Sequence, residues 1–155
     1  MRRAKPERRE ILPDLRYHSA NLEIITRHVL KRGKKSTATA LVYKAMDLIK
    51  ERTQKDPLEV FDAALRNVSP AMEVRPRRVG GATYQVPMEV SAGRRTTLAI
   101  RWILDAAHER AGKSFPDKLA GELIDASNEA GAAIRKRDET HKMAEANRAF
   151  SHYRI

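Results

Sequence analysis

The chain has 155 residues, a formal net charge of +11 and a pI of about 10.3, and it contains no cysteine. This length fits one domain with a core of its own, and the lack of cysteine excludes disulfide frameworks, thiol nucleophiles and cysteine-ligated zinc. No apolar run approaches the ~20 residues of a membrane span, and charges stand where a signal peptide would have its apolar segment. We therefore expect a soluble protein that is not exported.

Positive charge is concentrated in separate parts of the chain. Residues 1–37 carry a net charge of +7, residues 74–102 carry +5 and residues 130–155 carry +3. Residues 38–73 and 103–129 are slightly acidic, with net charges of −1 and −3. Random solubilising charge would not be sorted in this way, so the pattern predicts a polyanionic partner that touches several surfaces.

Residues 1–18 contain two prolines and show no helical periodicity. Their cations include Arg2, Arg3, Lys5, Arg8 and Arg9. We interpret the segment as a basic arm that is unordered alone and follows the phosphates of a nucleic acid when bound. The alternative is a tail of no consequence.

A first helix is predicted to begin after Ser19, a good N-cap residue, and to end at Gly33 with Lys31 and Arg32 in its last turn. Its apolar face would consist of Leu22, Ile25 and Val29. The following loop completes a run with four cations in five residues, namely Lys31, Arg32, Lys34 and Lys35. Gly33-Lys34 is not a phosphate loop, because that pattern needs a glycine where this chain has His28 and a strand before it. We exclude an NTPase.

Two further helices are predicted before residue 70. The second spans residues 36–52, with Leu41, Ala45, Leu48 and Ile49 on its buried face. The third begins with Asp56-Pro57, where aspartate can cap the helix and proline suits its first position. Its apolar face would consist of Leu58, Phe61, Ala64, Leu65 and Val68, and it would end before Pro70.

The stretch 72–90 does not have helical periodicity. Gly80-Gly81 can supply the positive φ angles of a tight turn between two β-prone segments. A two-residue loop pairs Val79 with Ala82, Arg77 with Tyr84, and Arg75 with Val86. Neither face of this ribbon is a clean apolar stripe, so we predict a protruding hairpin with arginines on both faces, Arg78 lying opposite Arg75 and Arg77.

Three more helices are predicted after the hairpin. The fourth spans residues 92–110 behind the cap Ser91, with Arg94, Arg95 and Arg101 near its start and Trp102 in the core. Cations oppose the helix dipole there, which favours a bound phosphate. The fifth begins at Ser114, just after Lys113, and buries Leu119, Leu123 and Ala126. The sixth spans residues 131–149, with Arg135, Lys136 and Arg137 in its first turns and Ile134, Met143 and Ala144 facing inward.

The chain ends with Arg148, Phe150, His152, Tyr153 and Arg154, a mixture of aromatics and cations that single-strand nucleic-acid binders often use. Catalytic patterns are weak, because the five histidines include no i, i+4 pair and no nucleophile or dinucleotide fingerprint occurs. We predict neither an enzyme nor a metal or other cofactor. The predicted fold is all-α: one domain, residues 1–155, with six helices and a hairpin (residues 72–90) between the third and fourth, and with tails at residues 1–18 and 150–155.

Four features together resemble the bacterial small-subunit ribosomal protein seven family. They are the basic N-terminal tail, Gly33-Lys34-Lys35, the segment from Arg77 to Pro87 around Gly80-Gly81, and the block from Met143 to Phe150. The resemblance extends over essentially the whole chain. It implies a cytoplasmic ribosomal protein that binds the 3′ major domain of small-subunit rRNA, nucleates the head of the subunit and contacts neighbouring ribosomal proteins as a monomer.

The resemblance also assigns roles to residues. Lys34 and Lys35 match the loop that the family places on rRNA, and Arg75, Arg77 and Arg78 match the base and shaft of its hairpin arm. The arm's tip is implied to lie near exit-site tRNA and mRNA, which makes these residues tRNA-proximal: Val79, Gly80, Gly81, Ala82, Thr83 and Tyr84. From the charge pattern we add as rRNA-binding candidates Arg2, Arg3, Lys5, Arg8, Arg9, Lys31, Arg32, Arg94, Arg95, Arg101, Lys113, Arg135, Lys136, Arg137 and Arg148.

Two other classes of protein fit parts of the pattern. A DNA-architectural protein could insert a basic β-arm into the minor groove, with Pro76 or Val79 as a wedge, but it would need a dimer to grip a bent duplex. A basic membrane-surface protein would need a helix with a broad apolar face and a lysine-rich one, which the sequence does not offer.

Overall fold

The computed structural model describes residues 10–153, and the predictions for Arg2, Arg3, Lys5, Arg8, Arg9 and residues 154–155 lie outside this range. Within it the chain forms six α-helices, one two-stranded antiparallel hairpin and a C-terminal 3₁₀ helix. Their bounds are α1 Ala20–Val29, α2 Lys35–Thr53, α3 Pro57–Val68, β1 Met72–Val79, β2 Ala82–Glu89, α4 Ala92–Glu109, α5 Phe115–Ser127, α6 Ala132–Ala146 and the 3₁₀ helix Arg148–Tyr153. The predicted mostly helical fold with a hairpin after the third helix is confirmed.

The core is built around α5, which packs against α2, α3 and α4. Its apolar positions Leu119, Leu123 and Ala126 are at most 1% exposed, as the helical spacing predicts. They meet Phe61 from α3 and Ile49 from α2, both fully buried. α1 covers α2 and α4, and α6 packs on α4 and on the base of the hairpin, so every helix contributes to one core.

Side chains cap two of the predicted helix starts but not the other two. Ser19 Oγ accepts a hydrogen bond from the Leu22 amide at 3.4 Å, and an Asp56 carboxylate oxygen accepts one from Leu58 at 3.2 Å. The side chain of Ser91 makes no capping bond, although its carbonyl accepts from the amides of α4. Ser91 and Ser114 are the N-cap residues of α4 and α5 as predicted, but Ser114 donates its hydroxyl to Asp117 and neither side chain makes a capping hydrogen bond.

Several predicted boundaries and inward faces also differ from the structure. α1 ends at Val29, so Lys31 and Arg32 lie in the loop and not in its last turn. α6 ends at Ala146, where the chain turns into the 3₁₀ helix. Met143 is 52% exposed and not inward, because Ile134 and Ala144 occupy the face of α6 that meets the core.

The end of the predicted N-terminal arm packs against the helices. Asp14 is 4% exposed and accepts hydrogen bonds from the Tyr43 hydroxyl at 2.8 Å and from the Arg16 and Tyr17 amides. Arg16 forms an ion pair with Asp47 at 2.6 Å. The prediction of a free arm through residue 18 is therefore wrong for residues 14–18, because Asp14 and Arg16 bind Tyr43 and Asp47 on α2.

The hairpin has the predicted register, with Val79 paired to Ala82, Arg77 to Tyr84 and Arg75 to Val86. Gly80 and Gly81 have φ angles of 57° and 89°, the left-handed values that a two-residue hairpin turn requires. Residues 75–83 are exposed, whereas Val86 is fully buried. Only the outer part of the hairpin therefore protrudes, because its base is anchored to the helical body.

Candidate nucleic-acid interface

Four exposed cations follow α1: Lys31, Arg32 and Lys34 in the loop between α1 and α2, and Lys35 as the first residue of α2. Arg32 and Gly33 both have positive φ angles, 53° and 73°, which reverse the chain between the two helices. Lys35 donates to buried Glu23 at 2.8 Å, and Arg27 donates to the same carboxylate at 3.1 Å. Burial would raise the pKa of Glu23, but the hydrogen bonds from Lys35 and Arg27 outweigh it and lower that pKa.

A cleft of about 390 Å³ brings this loop beside the α4–α5 loop. Its lining consists of His28, Val29, Lys31, Leu41, His108, Gly112, Lys113, Ser114, Phe115 and Lys118, and we call it the basic cleft. Three lysines surround an apolar floor in which the Phe115 ring lies 5.1 Å from that of His108. The lining has no carboxylate, whereas each of four other concavities in the described part has at least one. The basic cleft is therefore suited to an anionic ligand with a flat or apolar portion.

The base of the hairpin holds three arginines close to two carboxylates. Glu73, 7% exposed, accepts from Arg75 Nε at 2.6 Å and from Arg94 Nε at 2.8 Å. Arg95 donates through Nε to the Val90 carbonyl at 2.8 Å and reaches Glu89 at 3.3 Å. The negative charges of Glu73 and Glu89 offset the unfavourable positive charges at the start of α4. The helix dipole therefore gives no separate reason to expect a bound phosphate there.

The outer hairpin offers Arg77, Arg78 and the glycine turn, all exposed. Tyr84 differs from the other predicted tip residues, because it lies opposite Arg77 and is half-buried. Its ring centroid is 5.3 Å from that of Phe150 and 5.0 Å from that of Tyr153. The aromatic residues of the C-terminal tail therefore pack on the hairpin; they do not stand free as the sequence pattern suggested.

The cations predicted on α6 have two different environments. Arg135 and Lys136 are exposed, with Lys136 3.8 Å from Glu139. Arg137 is half-buried and donates to the Asn67 carbonyl at the end of α3 and to neighbouring Asp138. Arg137 thus satisfies a carbonyl that α3 leaves without a helical partner, which identifies a structural role that helix periodicity does not reveal.

Most of the predicted cations keep their charge available to solvent. Within residues 10–153, these make no ion pair to protein: Lys31, Arg32, Lys34, Arg78, Arg101, Lys113, Arg135 and Arg148. Four arginines omitted from the sequence-based set are instead paired with acids of the body, namely Arg16, Arg27, Arg52 and Arg110, the last with buried Glu122 at 3.0 Å and Asp125 at 2.6 Å. The exposed cations thus lie on several separate elements of one folded body.

Sequence reasoning missed two features of this surface. Lys118 and His108 complete the basic cleft, but each lies on a helix where a single cation looks like ordinary surface charge. Glu73 holds two predicted RNA-binding arginines, although only its proximity to Arg75 in sequence hinted at that contact. Both features depend on contacts between distant elements, which a reading of local patterns cannot supply.

In the part of the chain that the structure describes, no group of acidic and histidine side chains could hold a metal ion, and no helix is long and apolar enough to cross a membrane. The helical body, the protruding basic hairpin and the dispersed cationic surfaces are together typical of a protein that binds nucleic acid through several surfaces.

Comparison with known proteins gives the family. The family model for ribosomal protein S7p/S5e matches residues 1–148. The chain is 58% identical to small ribosomal subunit protein uS7 of Thermomicrobium roseum over 153 residues, which is 99% of this chain and 98% of the relative. It is 56% identical to uS7 of a Thermoanaerobacter species with the same coverage, and 54% identical to uS7 of Teredinibacter turnerae over 99% of both chains. The chain therefore belongs to the ribosomal protein S7p/S5e family.

Membership in this family confirms the resemblance seen in the sequence. Its members are structural, non-enzymatic proteins of the small ribosomal subunit, so the predictions of a non-enzyme and of a ribosomal location in the cytoplasm are also confirmed. The DNA-architectural and membrane-surface alternatives have no comparable support.

Proposed function

We propose that this protein binds the 3′ major domain of small-subunit rRNA directly and early in assembly, as a monomer, and so nucleates the head of the subunit. The tip of its hairpin lies beside exit-site tRNA and the mRNA path, and its remaining surface contacts neighbouring ribosomal proteins. The observation that carries this proposal is that exposed cations without an ion pair within residues 10–153 are distributed over separate elements of one helical body.

Such a distribution suits a folded RNA better than a simple duplex. Cations of the basic cleft with its α1–α2 loop, of the hairpin and of α6 lie on separate elements of the fold, so several RNA segments arranged around the protein would engage them together. Most of the affinity comes from phosphates, and specificity comes from the shape of the junction, because side chains cannot read base edges in the deep major groove of RNA. A protein with all of its cations on one side would bind a single RNA helix as well as it binds a folded RNA.

The hairpin divides into a base and a tip with different roles. Arg75, near the body, and Arg78, in the outer part of the hairpin, lie on opposite faces of the ribbon and contact rRNA together with Arg77. The turn at Gly80-Gly81, with Val79, Ala82 and Thr83, carries no charge and reaches toward tRNA. Tyr84 stabilises the ribbon through its ring contacts with the C-terminal 3₁₀ helix and approaches tRNA less closely.

Filter binding with a multihelix junction of small-subunit rRNA tests the proposal. The logarithm of the affinity is expected to fall steeply and linearly with the logarithm of the salt concentration, and the affinity is expected to exceed that for an RNA duplex of equal length at every salt concentration. Equal affinities for the junction and the duplex across the salt series would overturn it.

A further inference from the structure

Two arginines from different elements share one buried carboxylate at the base of the hairpin. Arg75 lies on β1 and Arg94 in the first turn of α4, yet the Nε atoms of both lie within 2.9 Å of the same oxygen, Glu73 Oε1. Arg94 Nε also lies 2.8 Å from Glu73 Oε2. The two guanidinium groups are therefore neighbours, although they are distant in sequence.

The direction of these contacts leaves the outer nitrogens available. Every hydrogen bond of the Arg75 and Arg94 side chains within residues 10–153 uses Nε, so the terminal Nη1 and Nη2 groups make none. The two side chains are 44% and 47% exposed, whereas Glu73 is 7% exposed as a residue. The carboxylate thus lies behind the pair, and the free donors face solvent.

We propose that Arg75 and Arg94 form one phosphate-binding site for the RNA backbone and that Glu73 is its positioning residue. A phosphodiester offers two non-bridging oxygens, and guanidinium forks bind them through paired N–H donors. Two arginines against one carboxylate leave a net positive charge at the site. This inference rests on the proposed RNA-binding function. An ordinary acid on an RNA-binding surface repels phosphate and weakens binding, whereas Glu73 strengthens binding by positioning two arginines.

The physical reason is pre-organisation. A free arginine side chain loses conformational entropy when it binds, and here the contact with Glu73 has already restricted both side chains. Removing Glu73 would raise the net charge by one and strengthen long-range attraction to RNA, but it would also free the two guanidinium groups. In this site the second effect outweighs the first.

The test is filter binding of the rRNA junction by full-length variants at a fixed salt concentration. Glu73→Gln is expected to weaken binding about 2- to 10-fold although the protein becomes more positive. Glu139→Gln, which removes an exposed carboxylate on α6, is the matched control and should leave affinity unchanged or slightly tighter. Tighter binding by Glu73→Gln, as in the control, would overturn the inference.

A double-mutant cycle separates positioning from a general effect on folding. In an Arg94→Gln background, Glu73→Gln should cost clearly less affinity than in the wild type, because one of the two arginines it positions is gone. Equal costs in both backgrounds would count against the inference. Glu73→Asp, which keeps the charge but shortens the reach, should also weaken binding, and it remains informative if Glu73→Gln does not fold.

Failure of the proposed function would look different. If the wild-type protein binds the junction no better than a duplex, the function itself is wrong. If the wild type prefers the junction and both Glu73 variants bind it as tightly as the wild type, only the phosphate site is wrong.

Discussion

The Tyr84 ring on β2 lies with its centroid 5.0 Å from that of Tyr153 in the C-terminal 3₁₀ helix. Phe150 joins the same cluster at 5.3 Å from Tyr84. The last turn of the described chain is therefore attached to the side of the hairpin, where it braces a ribbon that would be marginally stable by itself.

We expect Tyr84→Ala to release this brace. Aromatic pairs contribute about 0.5–1.5 kcal/mol beyond the area they bury, so the amides of residues 148–153 and of the hairpin should exchange with solvent several-fold faster than in the wild type. Hydrogen exchange measured by mass spectrometry would show it, with α5 as an unaffected internal reference. Gln85→Ala, at an exposed neighbour on the other face, is the control. Unchanged exchange at residues 148–153 in Tyr84→Ala would show that the rings touch without holding the segment.

The hairpin was predictable in detail and its surroundings were not. Two glycines between β-prone segments fix a two-residue turn, and the turn then fixes every pair of the register, so local chemistry was sufficient. Tyr84 packs against Phe150, and Arg137 binds the Asn67 carbonyl, through contacts between elements far apart in sequence. The same limit explains Met143, because helical spacing gives a face but does not say where the helix stops and the core ends.

Gly131 is the position where adding one carbon should destabilise the fold most sharply. Its φ angle is 97°, and a Cβ there would lie 2.8 Å from Glu122 Oε1, which accepts a hydrogen bond from the Ala133 amide at 2.9 Å. Backbone strain and displacement of this buried carboxylate together should make Gly131→Ala cost about 2–4 kcal/mol in unfolding free energy.

Gly93→Ala provides a matched control. Gly93 lies in the first turn of α4, and no heavy atom lies within 4 Å of a Cβ built there. In urea unfolding, Gly93→Ala should leave the free energy of unfolding unchanged or raise it by up to about 1 kcal/mol. A similar effect of both substitutions would mean that Glu122 moves aside at no cost.

The Glu23 ion pairs should make stability depend on pH. The pKa of Glu23 is lowered in the folded protein from its ordinary value of 4.5, so its contribution is fully present above that value and is lost as the pH falls through the lowered pKa. Glu23→Gln should therefore be less stable than the wild type at pH 7, and the difference should shrink below about pH 4.5.

Urea unfolding at pH 7, 5 and 3.5 measures that difference. Glu51→Gln, at an exposed position of α2 without an ion pair in the described chain, controls for the loss of a surface carboxylate. A stability gap between Glu23→Gln and the wild type that stays constant down to pH 3.5 would contradict the role assigned to the pairs with Lys35 and Arg27.

Shortening the hairpin should separate its two proposed roles. Deleting residues 75–86 would remove buried Val86 and the Arg75–Glu73 pair, so the better variant replaces residues 78–83 with two glycines. This change shortens each strand by two residues, which is one full period of the side-chain alternation, so Arg77 can still pair with Tyr84. We expect cooperative unfolding to be retained, rRNA docking to be reduced but present, and retention of exit-site tRNA by reconstituted small subunits to weaken. Normal tRNA retention would show that the tip is dispensable for that contact.

The basic cleft offers a test of whether its lysines contact RNA phosphates. Lys113 is exposed, and the Lys118 side chain packs along Gly112 at the cleft's edge, so replacing both with glutamine removes charge while keeping the outline of the surface. If each lysine displaces about one counterion, the slope of log affinity against log salt should become shallower by roughly 1–2 for the rRNA junction. The control with equal charge loss is Lys44→Gln with Lys50→Gln, two exposed positions on α2. A uniform effect of net charge would change both slopes equally, and only direct contact in the cleft would change the first much more than the second.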